Sequence, residues 1–137
     1  LSAFQPEVAI CTGVGRGRHV RLERRAVNRI ATVRPDEDDV IAIGLPVLEN
    51  GEPERLSSWP AQALAEALDS PGLPVVVSND AGTYVCNATD YHLFGPRHRT
   101  AAAGFVHLPP VDGDGTLSAY CNLLERLVAL LAPRAES

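Results

Sequence analysis

The chain has 137 residues and a mass of 14.6 kDa, a size that fits one domain around one core and nearly excludes a two-domain enzyme. Hydrophobic residues make up 45% and charged ones 21%, and no apolar run approaches the roughly 20 residues that cross a bilayer, so neither a membrane span nor bulk disorder is expected. Seventeen acids against twelve bases give a net charge of -5, which disfavours a general nucleic-acid binder because phosphate contact needs concentrated positive charge.

In chain order, Val8 to Cys11 is a short apolar run ended by Gly13-Val14-Gly15-Arg16-Gly17, the pattern of a buried strand entering a glycine-rich loop. Val20 and Leu22 alternate with Arg21 and Glu23, which predicts a half-buried strand continuing toward Val27 and Ile30. Arg34 to Asp39 reads as a charged, solvated loop, Val40 to Ile43 as a further strand, and Glu49-Asn50-Gly51-Glu52-Pro53 as a turn. Ser57-Ser58-Trp59-Pro60 opens a helix to about Leu68, with a hydroxyl as N-cap and Pro in the first turn, and Pro71-Gly72 ends it. Val75-Val76-Val77 is a continuous β-branched run, the mark of a strand covered on both faces. Thr83 to Phe94, bounded by Gly82 and by Gly95-Pro96, reads as a helix rising from the strand loop, and Ala101 to His107 as another strand. Leu117, Tyr120, Cys121, Leu124, Leu127, Val128 and Leu131 then fall on one face at helical spacing, with Thr116 as cap. Strands alternating with helices predict an α/β fold, a three-layer α/β/α sandwich on a mostly parallel twisted sheet, in a single domain spanning 1–137.

All twelve bases are Arg, a bias read as genome composition. Cys11, Cys86 and Cys121 are too few and too scattered for a disulfide scaffold, which points to reduced thiols in a cytosol-like compartment. The sequence opens Leu1-Ser2-Ala3, with no Met, basic leader or long apolar stretch, so no export signal is visible and the true start is expected to lie upstream. Cys11 and Cys121 read as core residues, and His19, His92 and His98 lack the spacing of a metal site.

The chemistry-bearing segment is Ser78 to Asn87, a polar, glycine-containing bridge that places Cys86 in the first turns of a helix. The partial positive charge of a helix N-terminus favours thiolate over thiol, although a lone Cys, taken by itself, reads first as a small buried hydrophobe. His107, ending a strand, is expected at the carboxyl edge of the sheet beside Cys86, where a neutral imidazole takes the thiol proton. Glu23 is the third candidate, because a carboxylate that accepts from the ring N–H fixes the tautomer. Taken singly, His107 reads as a capped or solvent-facing strand end and Glu23 as an outward-facing neighbour of Arg24 and Arg25.

Together these segments resemble the pyroglutamyl peptidase I family of cysteine peptidases. The blocks concerned are Gly13 to Arg18, Glu23-Arg24-Arg25-Ala26-Val27-Asn28, Leu56 to Pro60, Ser78 to Asn87, and Ala103-Gly104-Phe105-Val106-His107-Leu108-Pro109, the last two being the specific ones. The resemblance implies removal of N-terminal pyroglutamate (5-oxoproline) from peptides, with Cys86 as nucleophile, His107 as base and acid, and Glu23 as orienting carboxylate. It also implies Tyr84 and Val14 in the substrate site and Arg34 near an oxyanion, displaced by one residue from the family position. It implies no metal or organic cofactor, pyroglutamyl peptides as partners, a cytoplasmic setting, and leaves self-association open. The family's N-terminal strand and Gly-Phe-x-Pro-Phe loop have no counterpart ahead of Leu1, so an inactive or fragmentary homologue acting as a binding or structural protein is the alternative. A nucleotide-binding module is disfavoured, because Gly13-x-Gly15-x-Gly17 lacks the dinucleotide spacing and leads into a strand pattern.

Overall fold

In this computed structural model residues 6–31, 43–95 and 102–132 are described. In chain order their elements are strands β1 (Val8–Val14), β2 (Val20–Glu23), β3 (Arg25–Val27), β4 (Ile30–Ala31), β5 (Ile43–Leu45) and β6 (Glu54–Leu56), helix α1 (Ala61–Leu68), strand β7 (Val75–Ser78), helix α2 (Val85–Leu93), strand β8 (Ala102–Leu108) and helix α3 (Asp114–Leu131). Four of them form the central sheet in the order β1-β8-β2-β7. β1 runs parallel to β8 and β2 parallel to β7, whereas β2 and β8 are antiparallel, so two of the three pairings are parallel. The small pairs β3/β6 and β4/β5 are both antiparallel.

Alternation along the strands assigns each residue to a face. Val20, Leu22, Val75 and Val106 point to a core built with Trp59, Leu64 and Leu68 around α1 and with Leu123 and Leu127 of α3. The other face carries Cys11 and Gly13 of β1, Arg21 and Glu23 of β2, and Phe105 and His107 of β8, as the registers require. α2 covers that second face, with the Cys86 sulfur close to Gly13. Helices on both sides of the sheet make the expected three layers. At Gly104 the approach of the indole decides the residue, since an added Cβ would lie 2.0 Å from Trp59 Cε2.

Several sequence expectations are corrected. β1 runs on to Val14, so Gly13 belongs to the strand and not to the loop. The segment expected to be one strand from Val20 toward Ile30 divides into β2, β3 and β4, which join three different sheets. β7 lies at an end of the four-strand order and Val76 is 40% exposed, so its β-branched run is covered on one face only. α1 starts at Ala61 and its N-cap is Pro60, without a side-chain cap. The Ser58 hydroxyl instead accepts from the Ala103 N–H at 2.9 Å, tying this segment to β8. Thr116 lies inside α3, whose N-cap is Gly113, and donates to the Asp112 carboxylate. On α3 the buried stripe is Tyr120, Leu123 and Leu127, while Leu117, Cys121 and Val128 are exposed. The turn expected at Glu49 to Pro53 is present: Asn50 takes a φ of 60° and the Gly51 N–H donates to Leu48 O at 3.0 Å. Among the described residues no helix is long and apolar enough to cross a membrane.

Candidate active site

Glu23 ends β2 and is fully buried, not outward-facing. His107 of β8 is also buried, and its Nδ1 lies 2.8 Å from Glu23 Oε1. A carboxylate can only accept, so this bond assigns the ring proton to Nδ1 and leaves Nε2 as the basic nitrogen. The pair is held from both sides of the sheet. Trp59 Nε1 donates to the Glu23 carbonyl at 3.3 Å, and the Phe105 ring stacks at a tilt 4.7 Å from the imidazole.

Cys86 is the second residue of α2 and half-buried. The convergence expected at one rim of the sheet is replaced by convergence on one face. Because β7 and β8 run in opposite directions through the sheet, the carboxyl end that leads to α2 and the one that bears His107 lie at opposite ends. α2 turns back across the face, and Gly13, level with His107 in the β1/β8 register, receives the sulfur. A Cβ added at Gly13 would lie 3.1 Å from Cys86 Sγ and 2.9 Å from Phe105 Cζ, so the absence of a side chain there is what admits the thiol.

Thr83 and Asn87 fix this placement. The Thr83 hydroxyl donates to Ala31 O at 2.8 Å, and the Ala31 N–H donates to Thr83 O at 2.9 Å. The buried Asn87 amide accepts from the Val27 N–H at 2.9 Å and donates to Val27 O at 2.8 Å and Arg29 O at 3.2 Å. In the preceding loop, Asp80 Oδ1 accepts from the Gly82 N–H at 2.9 Å, and Gly82 takes a φ of 81° that suits glycine. The first turn of α2 has no side-chain cap, so no N-cap side chain takes up its amides.

The electrostatics differ from the simple helix-terminus expectation. Burial, with Asp90 and Glu23 nearby, pushes the Cys86 thiol above its ordinary range, against the opposing pull of Arg21 and a backbone hydrogen bond. Asp90, one turn beyond Cys86 on α2, is fully buried, and neither of its carboxyl oxygens has a hydrogen-bond partner among the described residues. Burial first, and Glu23 second, push its pKa up to about 8. The thiol therefore rests protonated at neutral pH and depends on a base to ionise it.

Of the other sequence candidates, Tyr84 is the N-cap of α2 and 47% exposed, and Val14 ends β1 at 71% exposure. Arg34 lies outside the described residues. Sequence reasoning missed Arg21, Trp59, Asn87 and Asp90. Arg21 and Asp90 had a readable signal, since Arg21 shares the strand parity of Glu23 and Asp90 stands at i+4 from Cys86.

The sequence pattern of a family described as pyroglutamyl peptidase matches residues 1–117. Among curated relatives, the pyrrolidone-carboxylate peptidase of Chromobacterium violaceum is 40% identical over 96% of this chain and 63% of its own length. That of Bacillus licheniformis is 38% identical over 80% of this chain and 53% of its own. The chain thus spans little more than half the length of the curated relatives it matches. Among solved structures, the pyrrolidone carboxyl peptidase of Fervidobacterium islandicum AW-1 superposes with a TM-score of 0.79 at 26% identity, covering 93% of this chain and 69% of that one. The pyroglutamyl peptidase I of Bacillus amyloliquefaciens gives a TM-score of 0.79 at 27% identity, covering 93% and 66%.

Proposed function

Because the chain belongs to the pyroglutamyl peptidase family, we propose that it hydrolyses the amide bond following an N-terminal pyroglutamate, with Cys86, His107 and Glu23 performing the chemistry. The observation that carries this reading is the buried hydrogen bond between Glu23 and His107 on the face that Cys86 reaches across Gly13. His107 Nε2 takes the thiol proton, and Glu23 stabilises the imidazolium that forms. The thiolate attacks the carbonyl that joins the lactam ring to the next residue. First-turn amides of α2 donate to the resulting oxyanion, where losing one such donor costs about 3 kcal/mol. The imidazolium then protonates the departing amine, leaving a thioester that water hydrolyses with His107 again as base. Exposed Tyr84 and Val14 offer apolar surface for the lactam ring. The three free cysteines suit a reducing, cytosol-like compartment.

Cys86→Ala tests the assignment with a fluorogenic pyroglutamyl amide. Turnover is expected to vanish while the melting temperature stays close to that of the wild type, and appreciable residual hydrolysis overturns the nucleophile. A second reading, a homologue that binds pyroglutamyl peptides without cleaving them, is favoured by the upward push on the Cys86 thiol. Binding of the peptide by a wild-type chain that releases no amine selects it.

A further inference from the structure

The face that holds Glu23 and His107 carries one more charged side chain. Arg21 stands directly opposite His107 in the antiparallel β2/β8 register, two residues from Glu23 and on the same face. Its Nε lies 3.9 Å from Glu23 Oε1, the oxygen that already bonds His107 Nδ1 at 2.8 Å. The far end of the guanidinium and the imidazole pack together on Gly15: a Cβ there would lie 2.7 Å from Arg21 Nη2 and 3.1 Å from His107 Cβ. Arg21 Nε and Glu23 Oε2 are both buried without a hydrogen-bond partner among the described residues, so each charged group keeps an unused polar atom on this face.

The sulfur needs that charge. The groups acting on Cys86 are Asp90 from its own helix, Glu23 from β2, and Arg21, which is the cation acting on it among the described residues. β8 contributes His107, and β1 contributes Cys11, itself raised by burial and by Asp90. With Asp90 holding its proton, the Glu23 carboxylate without an opposing cation would leave a thiolate here with no favourable electrostatic partner until the imidazole is protonated.

We propose that Arg21 is a positioning residue of this site: its guanidinium holds the Glu23 carboxylate toward the imidazole and supplies the positive charge that lets Cys86 ionise beside that carboxylate. The role rests on the peptidase reading above and acts through Glu23 and Cys86, without contact to substrate.

The test compares wild-type protein with Arg21→Gln and Arg21→Lys. It follows iodoacetamide alkylation of the Cys86 peptide against pH, together with hydrolysis of a fluorogenic pyroglutamyl amide. Arg21→Gln is expected to move the alkylation midpoint upward by about one pH unit. It should also lower kcat about tenfold, with KM within about a factor of two. Arg21→Lys should restore most of both. An Arg21→Gln profile that overlays the wild type overturns the proposal, and so does Arg21→Lys behaving like Arg21→Gln, which would make shape the cause. If Arg21→Gln does not fold, Arg21→Met takes its place, and failure of both uncharged variants to fold makes Arg21 structural and overturns the role. A wild-type chain that hydrolyses nothing removes the peptidase reading, while the alkylation midpoints, which need no substrate, still decide Arg21.

Discussion

Asp90 is the least comfortable side chain among the described residues. It has no exposed surface and no partner for either oxygen among the described residues, and an ionised carboxylate in that position is strongly disfavoured. The protein responds by keeping the proton, with a pKa near 8 against the ordinary 3.8. Between those two values the folded state holds a proton that the unfolded chain has lost, so raising the pH costs stability, and above about 8 the cost levels off. Asp90→Asn removes the pH-dependent part. Urea unfolding at a series of pH values should show the variant gaining on the wild type from pH 5 to pH 8, with a slope approaching roughly 1.4 kcal/mol per pH unit. A difference that does not change with pH would mean that Asp90 is ionised in the fold. Whatever constant penalty the orphaned amide adds cancels in that slope.

The site depends on how α2 is seated, and its seat is polar. The Asn87 amide spends three hydrogen bonds on the backbone of β3 and the loop after it, while the Thr83 hydroxyl binds β4. Asn87→Ala leaves the Val27 N–H and the Val27 and Arg29 carbonyls without their partner in a half-buried position. The expected cost is about 1 to 3 kcal/mol, seen as a lower urea midpoint. Because Cys86 is the adjacent residue, kcat/KM should fall by more than the loss of folded protein explains. An unchanged midpoint would show that β3 and α2 are held by other contacts. Such bonds explain what was legible in the sequence and what was not. Glu23, Cys86 and His107 were readable because motif blocks preserve their neighbours, and the structure does bring them to one face. The division of the Val20 to Ala31 segment among three sheets was not readable, since it is decided by partners such as Leu56, Leu45 and Asn87 from distant parts of the chain. On α3, helical spacing admits more than one apolar stripe. Packing against α1 selected Leu123 and Leu127, Tyr120 is buried beside them on the helix, and Leu117 and Val128 are left outside.

The whole fold is asymmetric across its sheet. On one side Val20, Leu22, Val75 and Val106 meet α1 and α3 in an apolar core, and β8 is buried through almost its entire length. On the other side α2 brings Cys86 and Asp90 over the face of Glu23, Arg21 and His107, with several polar atoms unpaired among the described residues. Apolar burial stabilises by about 25 cal/mol per Å², whereas an unpaired buried polar atom costs about 1 to 3 kcal/mol, so the two sides cannot be equally stable. Three-layer architecture followed from alternating elements, but this imbalance did not, because buried and exposed polar residues look alike in a sequence. Local opening should therefore begin at α2. In native-state hydrogen exchange, amides of β8 and β2 are expected to exchange only through global unfolding, and those of α2 and β3 through a cheaper opening. Adding the aldehyde of 5-oxoproline, whose aldehyde carbon takes the place of the scissile carbonyl and forms a thiohemiacetal with the thiol, should slow α2 and β3 selectively and leave β8 unchanged. Equal protection of α2 and β8 in the free protein would show that the polar side is as firmly held as the core, and that polar partners offset its orphaned groups.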